Sequence, residues 1–392
     1  MITIVGVVLL ILLEFANCDI QRIEVQHHKV PNSSLSRKRN TERFKGSTNL
    51  EPYDGYVHVL LGNITFGTPP QKFQVLFDLQ SVDVWVIADY ADLSDDDNDN
   101  NYAYESASTG RKKNTYSSSD STTYTKDGRP FSADWGYVSG ELASDIINVA
   151  NIQTNITFGL VDDISNYYFF VEPVDGEFGL SSANMSDNNI SSSLYALKDS
   201  LDKPIVSFHL RRNYTVNSTS VYTSTITLGN EDTENCRDEW KYVDQTYPGE
   251  YQFNVHSIQI GDKTRAVGVD GIIEDNGIFI DVGLDDVSFM AELTNATYNS
   301  TTNLYTLPCI PNRDLPIIQL NLGDGRTTVL LGPEEYILPV KANDSECYFG
   351  FVGYGNSNTS HMWYLGRPFL DSQCFSFNLS SLEIGFSPVK KL

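Results

Sequence analysis

Basic residues are scarce in this sequence. Its 392 residues hold 27 Lys and Arg against 51 Asp and Glu, which gives a formal net charge of −24. Nucleic-acid binding depends on clustered cations that contact phosphates, so this composition argues against a nucleic-acid partner. High acidity suits an acidic compartment, where protons neutralise part of the charge.

Cysteine is also rare, with five residues in the chain. Cys18 closes an apolar N-terminal run, and four cysteines remain after it: Cys236, Cys309, Cys347 and Cys374. An even number in a secreted chain predicts two disulfides, for which three pairings are possible. No close Cys and His spacing indicates zinc. We expect no metal and no cofactor.

Long apolar runs are missing after the N terminus. Residues 2–16 are nearly all apolar, but this run is too short and too early for a membrane span. Small residues precede Cys18, so we interpret residues 1–18 as a secretory signal peptide. About a dozen Asn-x-Ser/Thr sequons, such as those at Asn63 and Asn155, are typical of a secreted glycoprotein. We therefore expect a protein that is secreted or held in an acidic lumen (lysosome or gut lumen) and is not membrane-bound after signal removal.

Several hydrolase motifs are missing as well. The chain has no His-Glu-x-x-His and no Gly-x-Ser-x-Gly. It does have an apolar strand that ends in Phe77-Asp78-Leu79-Gln80-Ser81. A similar apolar run with Asp281 follows 203 residues later, in Gly277–Gly283. A lone Asp at a strand end is usually a turn former or a helix cap, whereas one Asp in each of two similar lobes can form a pair.

A pair of carboxylates can do acid and base chemistry that one cannot. Like charges about 3 Å apart cannot both ionise, so the pair shares a proton over a wide acidic range. The ionised member takes a proton from water, and the protonated member donates to a carbonyl oxygen. This chemistry predicts peptide hydrolysis through Asp78 and Asp281 without a covalent intermediate.

Three segments carry a resemblance to a known family. Tyr56–Trp85 resembles the first active-site region of the pepsin-like aspartic peptidases (peptidase A1), and Asp175–Leu180 resembles their Asp-Gly-Ile-Leu-Gly-Leu segment. Trp363–Phe369 resembles the segment beneath their second Asp. The resemblance runs from about residue 50 to the C terminus. It implies an all-β bilobal fold with pseudo-two-fold symmetry and a central cleft that binds a peptide or protein.

The active-site motifs depart from the family, which has Asp-Thr-Gly at both sites. Here they read Asp78-Leu79-Gln80 and Asp281-Val282-Gly283. Leu79 and Val282 lack the hydroxyls that cross-link the two loops in the family. Gln80 brings a side chain where the family has a bare glycine backbone beside the substrate. Ser81 is retained.

Two further changes concern the cleft. The family has Thr or Ser after the second motif, but this chain has Leu284. The family also closes a hairpin flap over the cleft with a Tyr, and Trp135 falls at that position, or Tyr137 does if the gap is placed differently. We expect Trp135, Gln80, Ser81 and Gly283 to contact the ligand. The alternative for Trp135 is plain packing against neighbouring strands.

The resemblance also predicts the pairing of the cysteines. Cys309 and Cys347 match a disulfide of the family's C-terminal lobe, and Cys236 with Cys374 resembles an extra pair of nematode-type members.

An acidic loop, Asp95–Asn101, hints at calcium, but Asn100 and Ser106 stand where a calcium loop has Gly and Glu. We interpret it as a solvated loop.

The chain divides into four regions. After the signal peptide, residues 19–48 carry seven basic and three acidic residues, which resembles the family's prosegment; a disordered basic linker is the alternative. Residues 49–220 form the predicted N-terminal lobe, and residues 221–392 form the C-terminal lobe. Short helices are expected at residues 191–200, 285–293 and 333–336, among β-runs.

Two functions remain open from the sequence. Both Asp residues, Ser81 and a prosegment-like region favour a working acid endopeptidase. The changed motifs favour a monomeric homologue that keeps the peptide-binding cleft with impaired or absent catalysis. Five departures within one active site make the second reading the preferred one.

Overall fold

The computed structural model describes ten segments of the chain: residues 21–31, 56–91, 112–133, 137–164, 174–210, 223–275, 277–309, 314–339, 345–355 and 362–390. These segments are mostly strands. The strands are β1 (Gln21–Pro31), β2 (Tyr56–Phe66), β3 (Gln71–Asp78), β4 (Val84–Ile87), β5 (Thr125–Ala133), β6 (Val138–Val149), β7 (Ile152–Ile164), β8 (Gly176–Gly179), β9 (Ile205–His209), β10 (Thr223–Leu228), β11 (Lys241–Asp244), β12 (Gln252–Ile260), β13 (Lys263–Ile273), β14 (Ile280–Gly283), β15 (Thr297–Asn299), β16 (Leu304–Pro308), β17 (Ile318–Leu322), β18 (Thr327–Leu331), β19 (Ile337–Pro339), β20 (Glu346–Phe349), β21 (Phe351–Tyr354), β22 (Trp363–Leu365), β23 (Gln373–Asn378) and β24 (Glu383–Pro388).

Helices are short and few in the described segments. They are α1 (Ser193–Leu197), α2 (Leu284–Thr294), α3 (Pro333–Tyr336) and α4 (Arg367–Ser372), with 3₁₀ turns at Ser118–Asp120 and Lys198–Ser200. The three helices expected from the sequence are present, and the sequence pattern did not predict α4. No helix in these segments is long and apolar enough to cross a membrane.

Three sheets hold the described strands. Thirteen strands form the first sheet, in the order β11-β24-β23-β9-β10-β1-β2-β3-β8-β4-β7-β6-β5. The second sheet has the order β18-β17-β12-β13-β22-β14-β21, and β15, β16, β20 and β19 form the third. The C-terminal strands β23 and β24 therefore belong to the same sheet as the strands around Asp78. The predicted all-β bilobal fold is confirmed.

An internal repeat is visible in the strand directions. In the first sheet, β3 runs parallel to β8, β8 runs antiparallel to β4, and β4 runs parallel to β7. In the second sheet, β13 runs parallel to β22, β22 runs antiparallel to β14, and β14 runs parallel to β21. We call these sets the first quartet and the second quartet. Their shared pattern fits the expected pseudo-two-fold.

Strand β1 lies inside the first sheet. It pairs with β10 through Gln21–Gln26 and with β2 through Gln26–Pro31. Ile23 and Val25 are buried in the core. Part of the region predicted to be prosegment-like (residues 19–48) is thus a paired strand, while its residues 19–20 and 32–48 lie outside the described segments.

Both predicted disulfides are confirmed. Cys236 bonds to Cys374 in β23, and Cys309 bonds to Cys347 in β20. The first joins residues 138 positions apart and the second joins residues 38 positions apart. Each one therefore links segments that are distant in sequence.

Candidate active site

Asp78 is the last residue of β3, where apolar alternation ends at a turn. Its side chain is only 3% exposed. Its Oδ1 accepts a hydrogen bond from the Gln80 backbone N–H at 2.8 Å, and its carbonyl oxygen accepts one from Leu180 N–H at 2.7 Å. The turn therefore holds Asp78 as a buried acceptor in a defined orientation.

The residues after Asp78 show what the changed motif does. The Leu79 side chain is buried in the core, so the apolar replacement is accommodated by packing. Gln80 and Ser81 are half-buried, and the Ser81 N–H donates to the Asp78 carbonyl at 3.4 Å. The turn keeps its backbone bonds, although the Leu79 side chain has no hydroxyl for cross-linking.

Asp281 lies within strand β14 and not in a turn after a strand. It pairs with Tyr364 in β22 and with Val352 in β21. Burial, and after it the negative charge of Glu274, raise the pKa of Asp281 to about 7. A carboxyl with this pKa is neutral in acid and can donate a hydrogen bond there.

The neighbours of Asp281 differ in role from those of Asp78. Val282 is fully buried in the core. Gly283 is the residue before helix α2 and has an ordinary extended conformation, with φ −61°. Leu284 is the first residue of that helix and is exposed. Gly283 therefore directly precedes a helix, whereas Gln80 belongs to the Asp78 turn.

The sequence patterns did not single out two acidic residues that lie between β13 and β14. Glu274 and Asp275 follow directly after β13, and Asp275 is 6% exposed. The available signal was Asp275-Asn276-Gly277, which keeps the Asp-x-Gly spacing with a polar middle residue. Asn276 lies outside the described segments.

The hairpin of β5 and β6 is the expected flap. Trp135 lies outside the described segments, and Tyr137 is partly exposed at 37%. Close to the tip, the Asn188 side chain accepts from Ser132 N–H at 3.0 Å and donates to Ser132 carbonyl oxygen at 3.0 Å. The same amide donates to Asp83 Oδ2 at 2.9 Å. Asn188 thus links the hairpin to the segment between the Asp78 turn and β4.

Comparison with known proteins decides the family. A sequence profile described as "Eukaryotic aspartyl protease" matches residues 60–389, which include both quartets. The chain belongs to the eukaryotic aspartyl protease family.

Relatives of this aspartyl protease family member include nematode and vertebrate proteins. Aspartic protease 1 of Caenorhabditis elegans is 27% identical over 348 residues, covering 87% of this chain and 85% of the relative. Pepsin B of Canis lupus familiaris is 26% identical, covering 86% and 83%. Cathepsin D of Rattus norvegicus is 28% identical, covering 84% and 80%. The similarity therefore spans nearly the whole length of each relative.

Proposed function

We propose that this chain is a secreted aspartyl protease homologue that binds peptides in its cleft and hydrolyses them weakly or not at all. The Asp78 turn carries the proposal. Asp78 is buried and held by backbone donors, as a ligand-contacting carboxylate requires. The adjoining Leu79 and Gln80 lack the groups that align a dyad in the family. Geometry errors of about 0.5 Å already impair such constellations.

An active acid endopeptidase is the second candidate. The bond from the Gln80 backbone N–H to Asp78 Oδ1 favours it, because it orients a carboxylate that could take a proton from water. The hydroxyl oxygen would then attack the peptide carbonyl carbon. A second, protonated carboxyl would donate its proton to the carbonyl oxygen.

The names of the relatives support a peptide ligand. Among the relatives, Aspartic protease 1 and Aspartic protease 17 of Caenorhabditis elegans carry the word protease in their names. Secretion is supported by the apolar N-terminal run and the dense sequons. The ligand class we propose is therefore a peptide or an unfolded protein segment.

The deciding experiment is cleavage of a denatured protein by the secreted protein, from about pH 2.5 to about pH 7, with and without pepstatin. Asp78→Asn is the matched control. We expect cleavage to be absent or weak while pepstatin still binds. The dissociation constant for pepstatin should be at least tenfold larger in Asp78→Asn than in the wild-type protein. Strong pepstatin-sensitive cleavage that is lost in Asp78→Asn would establish the active enzyme instead. A folded protein that neither cleaves nor binds pepstatin would contradict both candidates.

A further inference from the structure

The turn after β13 contains two acidic residues, and in the second quartet this turn corresponds to the Asp78 turn of the first quartet. We propose that Glu274 and its neighbour Asp275, rather than Asp281, supply the second carboxylate of the site. The proposal deepens the proposed function and rests on it for the ligand. Its structural part, that this acidic turn is the counterpart of the Asp78 turn, is argued from strand register and hydrogen bonds.

Strand pairing sets the correspondence between the two turns. Phe77 pairs with Phe178 in the first quartet, and Asp78 is the next residue. Ile273 pairs with Leu365 in the second quartet, and Glu274 is the next residue. Glu274 N–H also donates to the Leu365 carbonyl at 3.2 Å. By register, Glu274 is therefore the counterpart of Asp78.

The two turns close with the same bond. Ser81 N–H donates to the carbonyl of Asp78 at 3.4 Å, three residues earlier. Gly277 N–H donates to the carbonyl of Glu274 at 3.3 Å, also three residues earlier. The correspondence therefore continues past the strand ends.

Two glycines give independent support. A Cβ on Gly179 would clash with the carbonyl oxygens of Ser81 and Asp83. A Cβ on Gly366 would clash with the carbonyl oxygens of Gly277 and Phe279. Each turn thus packs against a glycine of the strand or segment beneath it, where no side chain fits.

Asp281 corresponds to Trp85 in this arrangement. Trp85 pairs with Glu177 across the antiparallel pair β4 and β8. Asp281 pairs with Tyr364 across the antiparallel pair β14 and β22. Asp281 therefore lies in the strand that leaves the turn, at the position where the first quartet has a tryptophan.

Tyr251 links the two segments that neighbour the turns. Its hydroxyl donates to the carbonyl of Leu180, whose N–H donates to the carbonyl of Asp78. Its own carbonyl accepts a hydrogen bond from Ile273 N–H at 3.2 Å, and Glu274 follows Ile273. Tyr251 therefore bonds to the segment under Asp78 through its side chain and to the end of β13, which precedes Glu274, through its backbone.

The electrostatics agree with this placement. Burial, and after it the negative charge of Glu274, raise the pKa of Asp281, so the charge of Glu274 acts on Asp281.

Cross-linking tests the placement without using any ligand. Asp78→Cys is combined with Glu274→Cys, and in the matched control with Asp281→Cys, since the described native cysteines are already bonded. A short bifunctional thiol reagent should bridge the first pair at least fivefold faster, as read by mass spectrometry of the joined peptides. If a variant fails to fold, Gln80→Cys replaces Asp78→Cys. Equal bridging, preferred bridging of the Asp281→Cys pair, or no bridging in folded protein would overturn the placement.

Pepstatin binding tests the chemical role. The variant carrying both Glu274→Gln and Asp275→Asn should lose pepstatin affinity at least tenfold, as Asp78→Asn does, and Asp281→Asn should lose clearly less. A loss in Asp281→Asn that equals the Asp78→Asn loss, with the double variant unaffected, would overturn the proposal. Wild-type protein that does not bind pepstatin would instead contradict the proposed function, and the cross-linking result would then decide the placement alone.

Discussion

At the scale of single residues, Asp281 makes the stability of the fold depend on pH. Its pKa is raised to about 7 by burial and by Glu274. Its unfolded value is about 4, so the folded state binds the proton more tightly. The stabilisation from this proton is complete below about pH 4 and is lost as pH rises toward about 7.

We therefore predict that Asp281→Asn stabilises the protein at pH 7 and changes little at pH 3. The gain at pH 7 should be about 1–3 kcal/mol, after allowance for relaxation around the buried charge. Urea unfolding of both proteins at the two pH values measures it. Asp262→Asn, which alters an exposed carboxylate, is the control and should show no such difference. A wild-type advantage at pH 7 would contradict the prediction.

At the scale of elements, Asn188 holds the hairpin of β5 and β6. Its amide satisfies both backbone groups of Ser132 and one oxygen of Asp83. Asn188→Ala should destabilise the hairpin by about 1–3 kcal/mol, because it leaves these partners without their bonds. Hydrogen exchange at the backbone amides of residues 131–133 should accelerate at least fivefold. Asn184→Ala, at an exposed position of the same loop, is the control. Unchanged hydrogen exchange in Asn188→Ala would contradict a role of Asn188 in holding the hairpin.

The two disulfides offer a second prediction about elements. Cys236–Cys374 closes a segment of 138 residues and Cys309–Cys347 closes one of 38. Chain-entropy arguments predict that the longer closure stabilises the fold by about 1 kcal/mol more. We expect the double Cys→Ser variant of the 236–374 pair to lose more unfolding free energy than that of the 309–347 pair. Denaturant unfolding of both variants measures the difference, and the reverse order would show that native-state effects dominate.

At the scale of the whole molecule, β1 determines what the fold would lose if the N-terminal segment were removed. The strand lies between β10 and β2, and its buried Ile23 and Val25 contribute to the common core. Arg22 also forms ion pairs with Asp232 and Glu234. Loss of the strand would expose the paired edges of both neighbours.

We predict that a chain beginning at residue 49 is less stable than one beginning at residue 19. The loss should exceed about 3 kcal/mol, since two buried side chains and two rows of backbone bonds disappear. Thermal unfolding compares the two chains, and N-terminal sequencing of the secreted protein shows which one is produced. A chain from residue 49 with an unchanged melting temperature would contradict a structural role for β1.

Much of the molecule could be predicted from its sequence. The Asp78 motif, the Asp175–Leu180 segment and the Trp363–Phe369 segment indicated the family and the all-β fold. The bounds of α3 and the cysteine pairs also followed from local signals and from the resemblance. The position of β1 did not, because its basic composition resembles a removable segment and its two partners are far away in sequence.

The sequence by itself determined that two acidic loops of similar pattern exist and which family they belong to. It could not decide which of Glu274, Asp275 and Asp281 corresponds to Asp78 in strand register, because all three lie within eight residues of each other. Strand pairing in the tertiary structure identified the counterpart of Asp78. Strand β13 runs parallel to β22 as β3 does to β8, which places Glu274 at the end of β13, and Asp281 lies on the next strand, β14. Parallel pairing joins residues about 90 to 100 positions apart, and no local pattern in the chain records that register.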